Sequence, residues 1–236
     1  DSSINQYNYK YFKYNKTGKV PQVFFNNDDR VYVGLGYTTQ KNKWRKSDFA
    51  NTQYIDVKYS ISQKAFSTTY YSTFLELMGK WNLKNYVNYD EVRWTNYYGL
   101  GNETQLSNKD RNYFRTRSEE FIVKVNTDRV INNRHRFYTG INYHTYRILN
   151  DTARFLVKQT GFNPVTMNGN EFFGGAEAGY VYQNINDSVI PTKGISFQIE
   201  GSYIDNLRKS NNSVGKYGAS TNVYIPLSKK FSLFVR

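Results

Sequence analysis

The stretch Arg136-Phe-Tyr-Thr-Gly-Ile-Asn-Tyr-His144 alternates between two kinds of side chain along its whole length. One set of alternate positions comprises Phe137, Thr139, Ile141 and Tyr143, and the other comprises Arg136, Tyr138, Gly140, Asn142 and His144. Successive side chains of a β-strand point to opposite faces of the sheet. The stretch therefore predicts a strand that separates an apolar environment from a polar one.

The same period of two recurs throughout the chain and predicts an all-β protein. Candidate strands are residues 31–40, 51–61, 66–77, 82–91, 95–102, 112–126, 134–148, 171–186, 194–206, 215–226 and 231 onward. Several are longer than the roughly five or six residues usual in globular proteins. They match the roughly nine to eleven residues that a tilted strand needs to cross a bilayer. Capped helical stretches are absent, so a βαβ arrangement is excluded.

The connections between these strands differ in length. Short ones span residues 62–65, 91–94, 188–193 and 227–230, and longer polar ones span 103–111, 148–170 and 207–214. Outer-membrane barrels have short periplasmic turns and longer external loops, so the pattern favours that architecture. The short 78–81 connection is an exception, because it falls where an external loop is expected. Residues 1–30 are predicted to be a periplasmic lead-in and residues 31–236 the barrel.

Composition narrows the class of protein further. The 236 residues include 23 Tyr, 16 Phe and 3 Trp but no Cys, and the formal net charge is +13. No apolar run approaches the roughly 18 residues of a membrane-spanning helix, whereas aromatic side chains accumulate at both interfaces of membrane barrels. The absence of cysteine excludes disulfides and thiolate metal sites. The positive charge would favour binding to anionic lipid or nucleic acid. The basic residues are scattered around the predicted sheet, however, which disfavours a single groove for nucleic acid.

The residue types on the less apolar face of the predicted strands distinguish a membrane barrel from a soluble β-sandwich. Gly, Asn, Ser, Glu, Lys and Arg occupy that face. In lipid every backbone polar group must be paired within the protein, so the sheet has to close and the polar face becomes a lumen. The predicted strand count is odd and the pattern is cut within residues 231–236, whereas single-chain bacterial barrels have an even count. We therefore predict an antiparallel transmembrane β-barrel that is incomplete here, with about eleven of about sixteen strands.

Catalytic and metal-binding chemistry have little support in the sequence. His135 and His144 are nine positions apart, so on one strand they face opposite sides and cannot share a metal. The adjacent carboxylates Glu119 and Glu120 diverge for the same reason. We predict no enzyme activity, no catalytic residue, no metal and no cofactor.

Four motifs in register resemble the BamA/TamA superfamily of outer-membrane barrels, also called the bacterial surface antigen family. They are Asn27-Asp-Asp29 with Val31-Tyr-Val-Gly-Leu-Gly-Tyr37, Tyr97-Tyr-Gly-Leu-Gly-Asn-Glu103, Asn184-Ile-Asn-Asp187 with Ile190-Pro-Thr-Lys-Gly194, and Tyr224-Ile-Pro-Leu227. They resemble the start of the family's first barrel strand, a Gly-x-Gly-Asn-Glu signature of one branch, the turn between the eighth and ninth strands, and the end of the tenth strand. The residues that carry the family motifs are Tyr98, Gly99, Gly101, Asn102, Glu103, Pro191, Thr192 and Gly194. The family's Arg-Gly-Phe/Tyr motif does not occur, which fits a barrel that continues beyond these residues.

The resemblance implies a multi-pass protein of the Gram-negative outer membrane that assists insertion or translocation of outer-membrane proteins. Its implied partners are outer-membrane lipid and lipopolysaccharide, client outer-membrane proteins, and accessory lipoproteins or a larger complex. Two alternatives stay open: a passive pore or membrane anchor for another domain, and a soluble β-sandwich binding module.

The resemblance also implies a site. In this family the first strand pairs poorly with the last and forms a lateral gate, whose exposed edge can template an incoming strand. The expected gate strand is residues 31–40, with Val31, Val33, Gly34, Leu35, Gly36 and Tyr37. Gly34 and Gly36 share one face, and space for a lumenal loop or a bend is an equally good explanation for them.

Arg115 and Arg117 share a predicted face with Phe121, Val123 and Val125, toward the external end of their strand. Snorkelling or solvation of a loop would explain them. The sharper hypothesis is contact with lipopolysaccharide phosphates, because the planar guanidinium group suits phosphate geometry.

Overall fold

A computed structural model of the chain describes residues 13–26, 30–43, 48–99, 111–149, 154–158, 169–209, 213–228 and 231–235. The strands are β1 Lys16–Asn26, β2 Arg30–Lys41, β3 Asn51–Ser60, β4 Ala65–Met78, β5 Trp81–Asn96, β6 Arg115–Ile131, β7 His135–Ile148, β8 Glu171–Ile185, β9 Gly194–Asn206, β10 Val214–Pro226 and β11 Ser232–Val235. A 3-10 turn, Arg111–Phe114, precedes β6, and a single helical turn, α1 Phe155–Lys158, lies between β7 and β8. No helix among these residues is long and apolar enough to cross a membrane.

The eleven strands form one antiparallel sheet whose order in space is the order in sequence. This arrangement confirms the predicted all-β antiparallel fold. In the described part of the chain β1 and β11 do not pair with each other, so the sheet is open. A sandwich would need two packed sheets, and the described strands all belong to one.

β1 is a strand that the alternation pattern did not reveal. It pairs with β2 along its whole length, from Lys16 opposite Gln40 to Asn26 opposite Arg30. The sheet therefore begins inside the segment predicted to be a lead-in, and residues 31–40 lie in the second strand. Pro21 disguises β1 in the sequence, because proline cannot donate to a strand ladder and is confined largely to edge strands. β1 is an edge strand of the described sheet.

β5 is one strand of 16 residues where the sequence predicted two, 82–91 and 95–102. That prediction is wrong. The pairing of β5 with β6 shifts register between Asp90 and Arg93. Such a bulge sets an extra residue against the partner strand and so reverses the alternation of faces beyond it. Because of this reversal, residues 91–94 resemble a turn in the sequence. Residues 100–102 of the second predicted strand lie outside the described part of the chain.

The connections divide between two ends of the sheet. The turn end carries residues 42–50, 79–80, 132–134, 186–193 and 227–231, and the loop end carries 27–29, 61–64, 97–114, 149–170 and 207–213. The two longest connections, 97–114 and 149–170, both belong to the loop end. Once β1 and the continuous β5 are counted, the short 78–81 connection belongs to the turn end, where short turns are expected.

The two faces of the sheet reverse the usual rule that apolar side chains are buried and polar side chains are exposed. The outer face carries exposed apolar side chains: Val33, Leu35, Ile55, Val57, Phe66, Phe137, Ile141, Ile199 and Tyr203. The inner face carries buried polar side chains: Asp56, Ser60, Ser67, Asn88, Glu120, Asp128 and Ser196. Among the described residues the most deeply buried side chains are serines. The sheet therefore has an apolar exterior and a polar interior.

Candidate functional site at the first edge of the sheet

The outward edge of β1 is the first feature of the candidate site. β1 pairs with β2 on one side, and no described strand pairs with its other side. An unpaired edge presents a row of backbone N–H and C=O groups that can template another strand. In a lipid environment those groups have to be covered by protein, so this edge is a place where a second strand is required.

The predicted gate residues lie one strand inside that edge. Val31, Val33, Leu35 and Tyr37 are exposed on the outer face of β2. β2 pairs along its length with β1 on one side and with β3 on the other. Their strand is therefore the immediate support of the edge and not the edge itself.

Gly34 and Gly36 leave room for side chains of β3 to lie across β2. A Cβ at Gly36 would lie 3.0 Å from the hydroxyl oxygen of Tyr54. A Cβ at Gly34 would lie 2.6 Å from the carbonyl oxygen of Val57 and 2.9 Å from Cγ of Lys58. The space at these glycines is taken by side chains of the neighbouring strand, which neither of the two sequence explanations included.

Tyr54 connects β3 to β1 across the glycine of β2. Its hydroxyl accepts a hydrogen bond from the amide of Gln22 in β1 and donates one of 2.9 Å to Oδ2 of Asp56. The Gln22 amide also lies 3.4 Å from the same carboxylate oxygen, and Lys58 Nζ lies 3.4 Å from Oδ1. Asp56 is only 5% exposed. We call these four residues, Gln22, Tyr54, Asp56 and Lys58, the β1 clasp.

A second tyrosine crosses a glycine in the same way on the inner face. Tyr138 of β7 lies over Gly179 of β8, where a Cβ would come within 2.3 Å of the tyrosine Cζ. Its hydroxyl donates a 3.0 Å hydrogen bond to Glu200 of β9. The clasp is therefore one instance of an arrangement that this sheet uses at more than one place.

Other buried carboxylates of the inner face are also partnered. Glu120 accepts hydrogen bonds from Arg93 (3.0 Å) and Ser118 (3.1 Å). Asp128 lies 2.8 Å from Lys84 Nζ and 3.5 Å from Arg136 Nε. A buried charge is costly unless it is paired, and these pairs keep the inner wall polar. No group of three or more acidic, His or Cys side chains in the described residues could hold a metal.

Two of the family motif positions, Tyr98 and Gly99, follow β5 at the loop end. The Tyr98 ring lies 5.3 Å from the ring of the buried Phe114, and Gly99 has φ of 105°. The motif positions Gly101, Asn102 and Glu103 lie outside the described residues.

Pro191, Thr192 and Gly194 belong to the turn between β8 and β9. Asn186 Oδ1 accepts hydrogen bonds from the backbone N–H groups of Thr192 (3.0 Å) and Lys193 (2.9 Å). Gly194 has φ of 125°, and a Cβ there would lie 2.0 Å from the carbonyl oxygen of Asn184. These residues shape the turn.

Asp187 caps the same turn. Its Oδ1 accepts hydrogen bonds from the backbone N–H groups of Val189 (2.7 Å) and Ile190 (2.9 Å). The Ile190 and Val189 donors hold the pKa of Asp187 below its usual range. The turn is thus fixed by side chains at its beginning and a glycine at its end.

Arg115 and Arg117 begin β6 on the outer face at the loop end. The guanidinium carbon of Arg115 lies 4.4 Å from the centroid of the Trp94 ring, and that of Arg117 lies 5.9 Å from it. Trp94 could not be predicted as their partner from the alternation pattern, because the bulge in β5 reverses the face on which it lies. The contact between Gln22 and Tyr54 was not predicted either, because the two residues are 32 positions apart in the sequence.

Aromatic side chains line the outer face near the turn end. The Phe137 and Tyr180 rings are 4.8 Å apart, and His135 and Tyr182 rings are 5.1 Å apart. His135 Nδ1 lies 2.8 Å from the Tyr180 hydroxyl oxygen. Rings with one polar end collect at the boundary between lipid and water. An apolar outer face with such a girdle and a polar inner face define a membrane β-barrel.

Comparison with known proteins places this barrel in a family. The Omp85 superfamily domain matches residues 79–236, and the chain belongs to that superfamily. It is similar to the crystal structure of BamA from Haemophilus ducreyi lacking POTRA domains 1-3, with a TM-score of 0.58 and 14% sequence identity. The match covers 92% of this chain and 39% of the other. No curated protein matches the chain.

The family and the sheet together confirm the expected BamA/TamA-type barrel. The chain is part of an outer-membrane β-barrel, and its sheet does not close within the described residues. The Ile190–Gly194 motif follows the eighth strand of the described sheet and Tyr224–Leu227 lies at the end of the tenth, whereas the motif expected at the first strand lies at β2.

Proposed function

We propose that this chain forms part of a multi-pass barrel of the Gram-negative outer membrane that inserts or translocates outer-membrane proteins. The observation that carries the proposal is the outward edge of β1, with which no described strand pairs. β2 and the β1 clasp hold this edge strand to the sheet. In the full-length protein a closing strand would cover this edge, and a client strand would compete with it.

The work of such a gate is non-covalent. A strand added to an exposed edge gains main-chain hydrogen bonds that lipid cannot supply. The client would therefore fold along β1 while its backbone passes from water into the bilayer. Client outer-membrane proteins are the proposed partners, with accessory lipoproteins or a larger complex delivering them, and no enzymatic turnover is needed.

The gate in this proposal is β1, and β2 is its support. The outer side chains Val31, Val33, Leu35 and Tyr37 would contact lipid beside the opening. Gly34 and Gly36 would keep the support close enough for Tyr54 and Lys58 to reach across it.

A reversible crosslink tests the proposal. In the full-length protein, a cysteine at Val23 would be paired with a cysteine in the strand that faces β1. We expect the disulfide to stop the protein from accelerating client folding in proteoliposomes, and we expect reductant to restore the activity. The matched control joins Val125 and Ile141, which are opposite each other in β6 and β7, and should leave activity intact. Full activity in the locked gate would refute the proposal.

A passive pore, or a barrel that anchors another domain, is the second candidate. The polar inner wall, with its ion pairs at Asp56, Glu120 and Asp128, would suit a hydrated channel. Stable single-channel conductance in a planar bilayer, together with no effect on client folding, would favour the pore.

A further inference from the structure

The turn end of the sheet carries apolar side chains that are exposed although they lie in or beside turns. In the β8–β9 turn Val189 is 84% exposed and Ile190 is 73% exposed. Ile131, where β6 enters the β6–β7 turn, is also exposed, as are Leu227 and Phe231 of the β10–β11 turn. Large exposed apolar surfaces mark places that contact a membrane or another protein.

These side chains continue the apolar outer face of the sheet. Ile131 lies opposite His135, whose ring is 5.1 Å from that of Tyr182 in the aromatic girdle. Leu227 comes two positions after Ile225, which is exposed on the outer face of β10. The outer face of a membrane barrel contacts acyl chains. Apolar side chains that extend this face as far as the turns therefore favour lipid over a protein partner.

Two of these turns are held rigidly. In the β6–β7 turn Asn132 and Asn133 have φ of 52° and 54°, the two positive values that a tight two-residue hairpin requires. The carbonyl oxygen of Arg134 accepts a 2.8 Å hydrogen bond from the N–H of Gln183 in β8. In the β8–β9 turn Asp187 binds the backbone N–H groups of both exposed apolar residues. Prepositioned side chains lose little conformational entropy when they enter a new environment.

A basic side chain follows the apolar residues in both turns. Arg134 comes three positions after Ile131, and Lys193 comes three positions after Ile190. Both basic side chains are exposed, and neither forms an ion pair with a described residue. Each turn thus presents an apolar surface with a cation beside it.

The described carboxylates at this end are engaged or lie elsewhere. Asp187 accepts hydrogen bonds from the backbone of its own turn. Asp128 is buried on the inner face, where it pairs with two other cations. Glu76 belongs to β4 and Asp48 to the β2–β3 connection, so β5 separates both from the two turns.

Exposed apolar side chains with adjoining basic groups are typical of segments that lie in a membrane interface. The apolar groups enter the boundary between acyl chains and headgroups, and the long basic side chains reach the headgroups. Anionic headgroups attract such basic residues at the membrane surface. The two turns have this composition and lie directly below the lipid-facing surface.

We propose that the β6–β7 and β8–β9 turns insert Ile131, Val189 and Ile190 into the periplasmic leaflet, with Arg134 and Lys193 against anionic phospholipid headgroups. The short turns mark this end as periplasmic, so the inference rests on the proposed orientation but not on client insertion. The inserted turns would fix the depth of β6 to β9 in the bilayer.

A nitroxide label measures the depth of the β8–β9 turn. In the full-length barrel a single cysteine, Ser188→Cys, carries the label, so both neighbouring apolar side chains stay in place. In phosphatidylcholine vesicles we expect the label to collide more with oxygen, which concentrates in lipid, than with a water-soluble nickel chelate. The matched control is Lys124→Cys, an exposed inner-face position in the middle of β6, where the chelate should dominate.

Two variants of the labelled protein separate the apolar and charged contributions. V189S/I190S should raise chelate collisions toward the level of the Lys124→Cys control. Phosphatidylglycerol in the vesicles should lower chelate collisions by about twofold, because it draws the basic side chains to the surface. R134Q/K193Q should abolish this lipid effect, whereas K64Q/K158Q, which removes exposed cations from the loop end, should keep it.

Chelate collisions as frequent at Ser188→Cys as at Lys124→Cys would overturn the inference and leave the turn exposed for a protein partner. An undiminished phosphatidylglycerol effect in R134Q/K193Q would overturn the headgroup contact. If V189S/I190S fails to fold, as judged by its gel mobility before and after heating, V189S alone replaces it and should raise chelate collisions less. No rise in that variant counts against the proposal. Client insertion is measured separately, so a barrel that holds its turns in lipid but inserts nothing would reject only the proposed function.

Discussion

Tyr54 is a side chain that reinforces the attachment of the edge strand to the sheet. Its ring lies across Gly36, and its hydroxyl is hydrogen-bonded to both Gln22 and Asp56. Tyr54→Phe keeps the ring and removes the hydroxyl, so Gln22 and Asp56 each lose one hydrogen-bond partner. We expect β1 to be held about 1 kcal/mol less tightly and its amides to exchange about fivefold faster.

Hydrogen exchange read by mass spectrometry measures this effect over Lys16–Asn26. The matched control is Tyr143→Phe, an outer-face tyrosine in the middle of β7 that should leave exchange in β1 unchanged. Equal protection of β1 in the Tyr54→Phe and wild-type proteins would show that the clasp does not hold the edge.

At the scale of single elements, the turn between β8 and β9 depends on a charged side chain. The pKa of Asp187 is lowered by two backbone donors. Its ionised form therefore stabilises the turn above the unfolded-state pKa of about 3.9. That contribution is lost as the pH falls through the lower folded-state pKa.

We expect the amides of Val189 and Ile190 to lose protection in acid, below about pH 4. Asp187→Asn keeps an acceptor oxygen and should remove the pH dependence, whereas Asp187→Ala should leave both amides unprotected at every pH. Amide exchange followed by NMR across the acid range measures all three proteins. The same acid transition in the asparagine variant would contradict the assignment to this carboxylate.

The strands also show which elements the period of two predicts correctly and which it does not. The predicted strand 194–206 coincides with β9, because its alternation is uninterrupted. Pro21 hid β1, and the bulge between Asp90 and Arg93 divided β5, since both break a period of two locally. The clasp was out of reach for another reason. Gln22 and Tyr54 are 32 positions apart, and no local pattern shows that the strand between them carries a glycine at the crossing point.

For the whole molecule, the reversed burial of polar and apolar side chains makes a prediction of its own. Ile141 lies in the middle of β7 on the outer face and is 64% exposed. Ile141→Lys would place a charge in the centre of the apolar belt, and we expect it to cost about 2–4 kcal/mol. Asn142→Lys, one residue further on the inner face, should cost much less.

Urea unfolding of the full-length barrel from lipid vesicles compares the two variants. Equal destabilisation would mean that the outer face does not contact lipid, and would contradict the membrane orientation of the sheet. A larger cost for the inner-face substitution would contradict it as well.

The tyrosines that lie across glycines also bear on how the sheet would come apart under load. Tyr54 joins β3 to β1 across β2, and Tyr138 joins β7 to β9 across β8. Hydrogen bonds between neighbouring strands alone would let a pulled sheet peel away strand by strand. With these crossings, tension applied at β1 is shared at once by β3, so the N-terminal strands would resist extraction as a group of three.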